Sequence, residues 1–145
     1  MSARTASVVA TAALVIVVLA LFRIGALLAP SPPGLVVQGV AVALMLWARV
    51  TFGRRSFHFA ANPTAGGLVT WGPYRWFRHP IYAAVLLFLW TAVLTHLSPL
   101  TLALGVAATA ATAVRIRGEE RLLVQRYPEY AEYAARTKRL VPGVF

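Results

Sequence analysis

Two groups of residues in this chain have the types and the order that chemistry would use. The first is Arg78-His79-Pro80-Ile81-Tyr82, inside the stretch WGPYRWFRHPIYAA that runs directly into an apolar segment. Pro80 fits the first turn of a helix, where a missing amide hydrogen costs nothing. His79 then falls at the helix start with its ring beside unpaired backbone donors, and Tyr82 lies two residues inside. With Gly72 and Pro73 pinning the lead-in, the junction makes a polar notch where a carboxylate or a ribose finds donors. A belt of interfacial aromatics needs only rings and cations, and is indifferent to their order.

The second group is Arg115 followed by Glu119 and Glu120. Arg115 and Glu119 are four apart and share one face of a helix. As a surface pair they would contribute about 0.2–0.5 kcal/mol, and arginine before glutamate is the poorer orientation. Gly118 between them weakens a helix by about 1 kcal/mol relative to alanine. Stability is therefore a weak reason for the combination; a ligand approaching the backbone is a better one. Acidic residues also weaken adhesion to anionic lipid, so both glutamates are expected to face a cationic partner.

The elements that must position these groups are membrane helices. Of 145 residues, 59% are hydrophobic, far more than a small soluble domain carries. Four segments read as spans: about Val8 to Ala29, Gly34 to Val50, Pro80 to Leu97 and Pro99 to Val114, the last two short for a core of roughly 30 Å. The proline-rich APSPPG at 29–34 reverses the chain and makes a hairpin of the first two spans, with Gly39 permitting close packing. Arg23 near the end of its span is expected to snorkel. Beyond Val114 the pattern predicts a helix continuing out of the membrane, a break near Pro128, a second short helix and an irregular basic end. The expected class is all-α: about four transmembrane helices and a C-terminal cytoplasmic helical cap. It is one domain, 1–145, with a hairpin over 1–50 and a cofactor-binding catalytic region over 51–145.

Charge sets the orientation. The loop from Arg49 to Arg78 carries five lysines or arginines and the tail from Arg115 carries seven, whereas the two other connections carry none. Both termini and the central loop are therefore expected on the cytoplasmic side of the cytoplasmic membrane. The net charge of +10 fits anionic headgroups rather than nucleic acid, for which no recognition motif is present. There are no cysteines, and three scattered histidines with four late carboxylates make no metal site. Arg54 and Arg55 read as interfacial cations and His58 as a packed histidine. The Gly66-Gly67 pair marks a sharp turn but no dinucleotide fingerprint.

The RHPIY run, the apolar span pair after it and Glu119-Glu120 resemble the RHPxY, hydrophobic, EE signature of the isoprenylcysteine carboxyl methyltransferases and related membrane methyltransferases. The lead-in GGLVTWGPYRWF and the trailing EERLLVQRYPEY and RLVPG are similar to that family too, so the resemblance covers roughly Trp47 to Phe145. It implies a small helical membrane enzyme with S-adenosylmethionine held on the cytoplasmic side beneath the C-terminal cap. It further implies that Leu68, Val69, Tyr74, His79, Pro80, Ile81, Tyr82, Glu119 and Glu120 hold the cofactor. Arg115 would meet the substrate carboxylate, and Arg115 and Glu119 would be the catalytic pair. Members that modify prenylated proteins have more spans before this region and often a histidine where this chain has Gly66 and Gly67. A Rossmann-type methyltransferase core is excluded by size and hydropathy.

Methyl transfer from a sulfonium to a carboxylate needs no general base, because a carboxylate with a pKa near 3.5 is already ionised at neutral pH. An amine acceptor would need one, such as His79 or a glutamate. The leading expectation is O-methylation of a lipophilic, isoprenoid-like carboxylate entering from the bilayer. Alternatives are N- or S-methylation of a lipid or small apolar acceptor, and a non-enzymatic lipid- or partner-binding protein. Similar C-terminal halves occur in membrane sterol reductases, against which the short chain counts. The expected partners are the lipophilic substrate and membrane lipids, with no nucleic acid and no obligate protein partner.

Overall fold

Proline sets the start of three of the five α-helices among the described residues. In the computed structural model, residues 3–53 and 68–141 are described, the side chains of Ala3 and Arg4 excepted. The expectations for Arg54, Arg55, His58, the Gly66-Gly67 pair and the Pro142-Gly143 end of RLVPG lie outside them. The helices are α1 (Ala3–Arg23), α2 (Pro32–Phe52), α3 (Pro80–Thr95), α4 (Pro99–Arg126) and α5 (Tyr130–Arg136), with a 3-10 turn over Gly72–Arg75 before α3. The all-α expectation holds: among the described residues there is no strand, and the β pairing is an isolated parallel bridge between Phe77 and Lys138.

Three of these helices, α1, α2 and α4, are long and apolar enough to cross a membrane. The apolar α3 has 16 residues, which at 1.5 Å per residue gives about 24 Å, less than the bilayer core. It packs between α2 and α4. α4 has Pro99 in its first turn, and a reciprocal capping box starts it: Ser98 Oγ accepts from Thr101 N at 3.2 Å, and Thr101 Oγ1 accepts from Ser98 N at 3.0 Å. It then runs on past Val114 to Arg126 and breaks before α5, as the pattern predicted.

Two expectations are corrected. The first span was read as reaching Ala29, but α1 ends at Arg23. Gly25, at φ 68°, takes the left-handed conformation, and the backbone closes with Gly25 N donating to Phe22 O at 3.1 Å and Ala26 N to Leu21 O at 2.8 Å. That is the Schellman arrangement, with Leu21 and Ala26 in one apolar cluster. Past the helix, Ala26 and Ala29 turn back into the core, while Ile24 and Leu28 stay on the outside. The first two helices were also read as a packed hairpin. Instead α1 packs along α4 and α2 along α3, and a Cβ at Gly39 would meet nothing within 4 Å. Close approach occurs at Gly34, where a Cβ would lie 2.5 Å from that of Ala29, and at Gly105, where it would lie 3.1 Å from Val93.

A buried glutamine ties the turn to the bundle. Gln38 accepts from Ala29 N at 3.0 Å and donates to Leu27 O at 2.9 Å and Phe88 O at 3.4 Å. The apolar centre is built of Val17, Leu21 and Ala26 against Leu89 and Ala108. α1 packs along α4, and α3 packs between α2 and α4. The start of α1, the end of α2, the start of α3 and the later turns of α4 gather at one end, where Thr11 meets Arg115, Tyr82 meets Glu119, and Ala48 meets Tyr74.

Candidate active site

At that shared end α3 begins against α4, and the two sequence groups meet. His79 is the residue before α3, with Pro80 in the first turn and Tyr82 on its inner face. Arg115 lies on α4 and is 7% exposed. A cation so buried must be paired. Its Nε donates to Tyr82 Oη at 2.6 Å, its Nη2 meets Glu119 Oε1 at 3.1 Å, and its Nη1 donates to Thr11 Oγ1 on α1. The Tyr82 hydroxyl in turn donates to Glu119 Oε1. The guanidinium also lies 5.5 Å from the centre of the Tyr82 ring, within cation–π range. Three helices thus fix one cation, which is not the surface pair that spacing alone described.

His79 departs from expectation. Its side chain makes no cap to the backbone of α3. The ring is turned toward the two glutamates, with Nδ1 at 3.8 Å from Glu119 Oε2 and Nε2 at 3.4 Å from Glu120 Oε1. It stacks obliquely on Tyr82, centroids 5.8 Å apart. Its Nε2 is buried without a hydrogen bond of good geometry among the described residues. Glu120 faces cations, as both glutamates were expected to: Arg78 Nε reaches Oε1 and Arg139 Nε reaches Oε2, each at 3.0 Å.

The remaining predicted residues form an apolar flank. Val69 and Tyr74 are buried with Ala48 of α2, and Phe52 and Ile81 pack against them. Pro80 is fully buried, and Leu68 is half-buried before Val69 but not part of this cluster. Gly72, at φ 59°, permits the 3-10 turn that delivers Tyr74; a Cβ there would lie 2.7 Å from Thr51 Oγ1.

The C-terminal segment is tied over this end by backbone bonds. Arg78 N donates to Lys138 O at 2.7 Å and His79 N to Arg139 O at 3.0 Å. Arg78 Nη1 donates to Ala134 O at 2.7 Å, and Tyr133 Oη donates to Tyr74 O at 2.7 Å. Burial pushes the Tyr74 phenol well above its ordinary range, with the nearby Tyr133 and Glu119 adding to the rise. Burial likewise pushes Tyr133 up to about 12, against the opposing influence of Arg78 and a hydrogen bond with Thr137. Both phenols are neutral at neutral pH, and that of Tyr133 is the donor to Tyr74 O.

Sequence reasoning missed Thr11, Arg78 and Arg139 as parts of this arrangement. Arg78 was visible inside the RHPIY run. A single threonine in an apolar span carries no signal of its own.

Residues 34–125 match the family described as the isoprenylcysteine carboxyl methyltransferase (ICMT) family. The chain is also similar to the cobalt-zinc-cadmium resistance protein CzcN of Cupriavidus metallidurans, 41% identical over 76 residues, or 52% of this chain and 35% of that protein. It therefore spans only about a third of that relative's length, 35%. No solved structure matches. The family match takes in both RHPIY and the glutamate pair and covers more than half of the sequence; the chain belongs to the isoprenylcysteine carboxyl methyltransferase family.

Proposed function

We propose that the protein is an integral-membrane, S-adenosylmethionine-dependent methyltransferase that O-methylates the carboxylate of a lipophilic, isoprenoid-like acceptor. The observation that carries this reading is the Arg115–Tyr82–Glu119 array beside His79, at the point where α1, α3 and α4 converge. The residues present suit the cofactor. Glu119 and His79, whose Nε2 has only a 3.4 Å contact with Glu120, offer partners for ammonium and hydroxyl groups, and Val69, Tyr74 and Ile81 offer an apolar flank for a base.

When bound, S-adenosylmethionine supplies a methyl group on a cationic sulfur. The chain's own residues then have two tasks, alignment and exclusion of water. Arg115, held from three helices, is a preorganised cation that orients an acceptor carboxylate without a proton transfer. A dry site favours the reaction, because charge disappears as the acceptor and the sulfonium neutralise each other. A lateral approach from the bilayer suits an acceptor with a long apolar tail.

N-methylation is a second reading, favoured by the His79–Glu119 contact at 3.8 Å, which would serve as a proton acceptor for an ammonium. Purified protein incubated with methyl-labelled cofactor and membrane lipid extract distinguishes the two. Label in the organic phase that mild alkali releases as methanol means an ester; label that resists alkali means nitrogen or sulfur. Arg115→Ala and Glu119→Ala are each expected to lower transfer by about 100-fold or more. Full activity in both variants would remove this site assignment.

A further inference from the structure

A second cationic feature lies outside the array that holds Arg115. A cleft of about 330 Å³ is lined by residues of α4 and α5, its walls carrying Arg78, Arg117, Arg121 and Arg139 together with Glu120 and Tyr130. One carboxylate faces four guanidiniums, an excess of three positive charges (4 − 1). Glu120 already has an arginine on each oxygen. Arg117 and Arg121 are exposed, four apart on α4, and enter no ion pair among the described residues. Tyr130 is 3% exposed, and its hydroxyl has no hydrogen bond of good geometry among the described residues.

Like charges gathered along an open cleft repel each other and sum to a positive field over it. Guanidinium forks match phosphate oxygens, and a phenol adds a neutral donor. A planar carboxylate brings two oxygens and a single charge, which leaves most of the excess uncompensated. A phosphomonoester brings three oxygens and about 1.5 to 2 negative charges. We propose that the cleft between α4 and α5 binds a phosphomonoester, delivered either by a lipid headgroup or by a soluble phosphate. Arg115, Tyr82 and Glu119 do not line it, whereas Glu120, which also meets His79, does; phosphate binding is therefore read directly rather than through methyl transfer.

The full chain in nonionic detergent is titrated calorimetrically with inorganic phosphate, with dihexanoyl phosphatidic acid and with dihexanoyl phosphatidylcholine. Saturable binding of phosphate or phosphatidic acid, but not of phosphatidylcholine, is expected. Equal affinity for the first two assigns a soluble source; preference for the lipid assigns a headgroup. The R117Q/R121Q variant should weaken binding at least about tenfold while its helical circular dichroism is unchanged, and R117K/R121K should keep most of it. Should the double glutamine variant fail to fold, Arg121→Gln alone should still weaken binding about threefold. No saturable binding of either phosphate ligand up to about 10 mM, or glutamine variants that bind like the parent, would overturn the proposal.

Discussion

The Tyr82 hydroxyl is the smallest feature on which the site depends. It accepts from Arg115 Nε at 2.6 Å and donates to Glu119 Oε1, so a single atom sets the spacing of cation and carboxylate. Tyr82→Phe removes both bonds and leaves the ring. Stability should fall by about 1–3 kcal/mol, because the buried Arg115 and the half-buried Glu119 each lose a partner. Transfer should fall by about 10- to 100-fold, because Arg115 is no longer aimed. Thermal unfolding in detergent and the labelled-methyl assay read the two effects separately. Unchanged values in both would show that the hydroxyl is incidental. At this scale the sequence was informative where residue order mattered: His79, Tyr82, Arg115, Glu119 and Glu120 do converge. The orientation of the His79 ring was not legible, because competition between helix amides and two glutamates is decided only when α4 arrives.

Among the elements, the segment after α5 and the stretch leading into α3 behave as one unit, since backbone bonds join residues 76–79 to residues 138–139. The short helix α5 and the break before it could be read from Pro128 and the tyrosine spacing. Its docking could not, because main-chain pairing leaves no side-chain pattern. Tyr133→Phe removes the bond to Tyr74 O and should increase amide hydrogen exchange at residues 130–139 with little change in the core of α3; identical exchange would mean that the phenol does not hold the cap. Folding raises the Tyr133 phenol from 10.0 to about 12. The neutral form is therefore the folded one: its contribution is complete below pH 10 and is lost as the pH rises toward about 12. Exchange in the cap should be flat from pH 6 to 9, after correction for intrinsic rates, and rise above about pH 10. Gly72→Ala places a Cβ against Thr51 at positive φ, which should cost about 1–2 kcal/mol from the backbone alone. Thermal unfolding checks it, and an unshifted midpoint would show that the 3-10 turn tolerates the side chain.

Over the whole molecule, the helices pack in the order α1, α4, α3, α2, so the two helices that begin the chain flank the two that carry the site. That arrangement was hidden in the sequence because a short turn between apolar segments implies neighbours, whereas Gly25 and Gln38 redirect the chain so that each segment finds a different partner. Alternation of four helices puts Pro30 at one end of the bundle and Arg126 at the other. The chain has no native cysteine, so Pro30→Cys and Arg126→Cys report sidedness without background. An impermeant maleimide should label the first from outside intact cells and the second only in inverted vesicles; the reverse pattern would invert the proposed orientation. The central claim is that the meeting of α3 and α4 holds a sulfonium donor. Calorimetry of the full chain in detergent with S-adenosylmethionine and its demethylated product tests it most directly. The account predicts saturable heat from both, lost when Glu119 is replaced by alanine in a protein that keeps its helicity. Absence of heat from either ligand at millimolar concentration in the folded parent protein would contradict it.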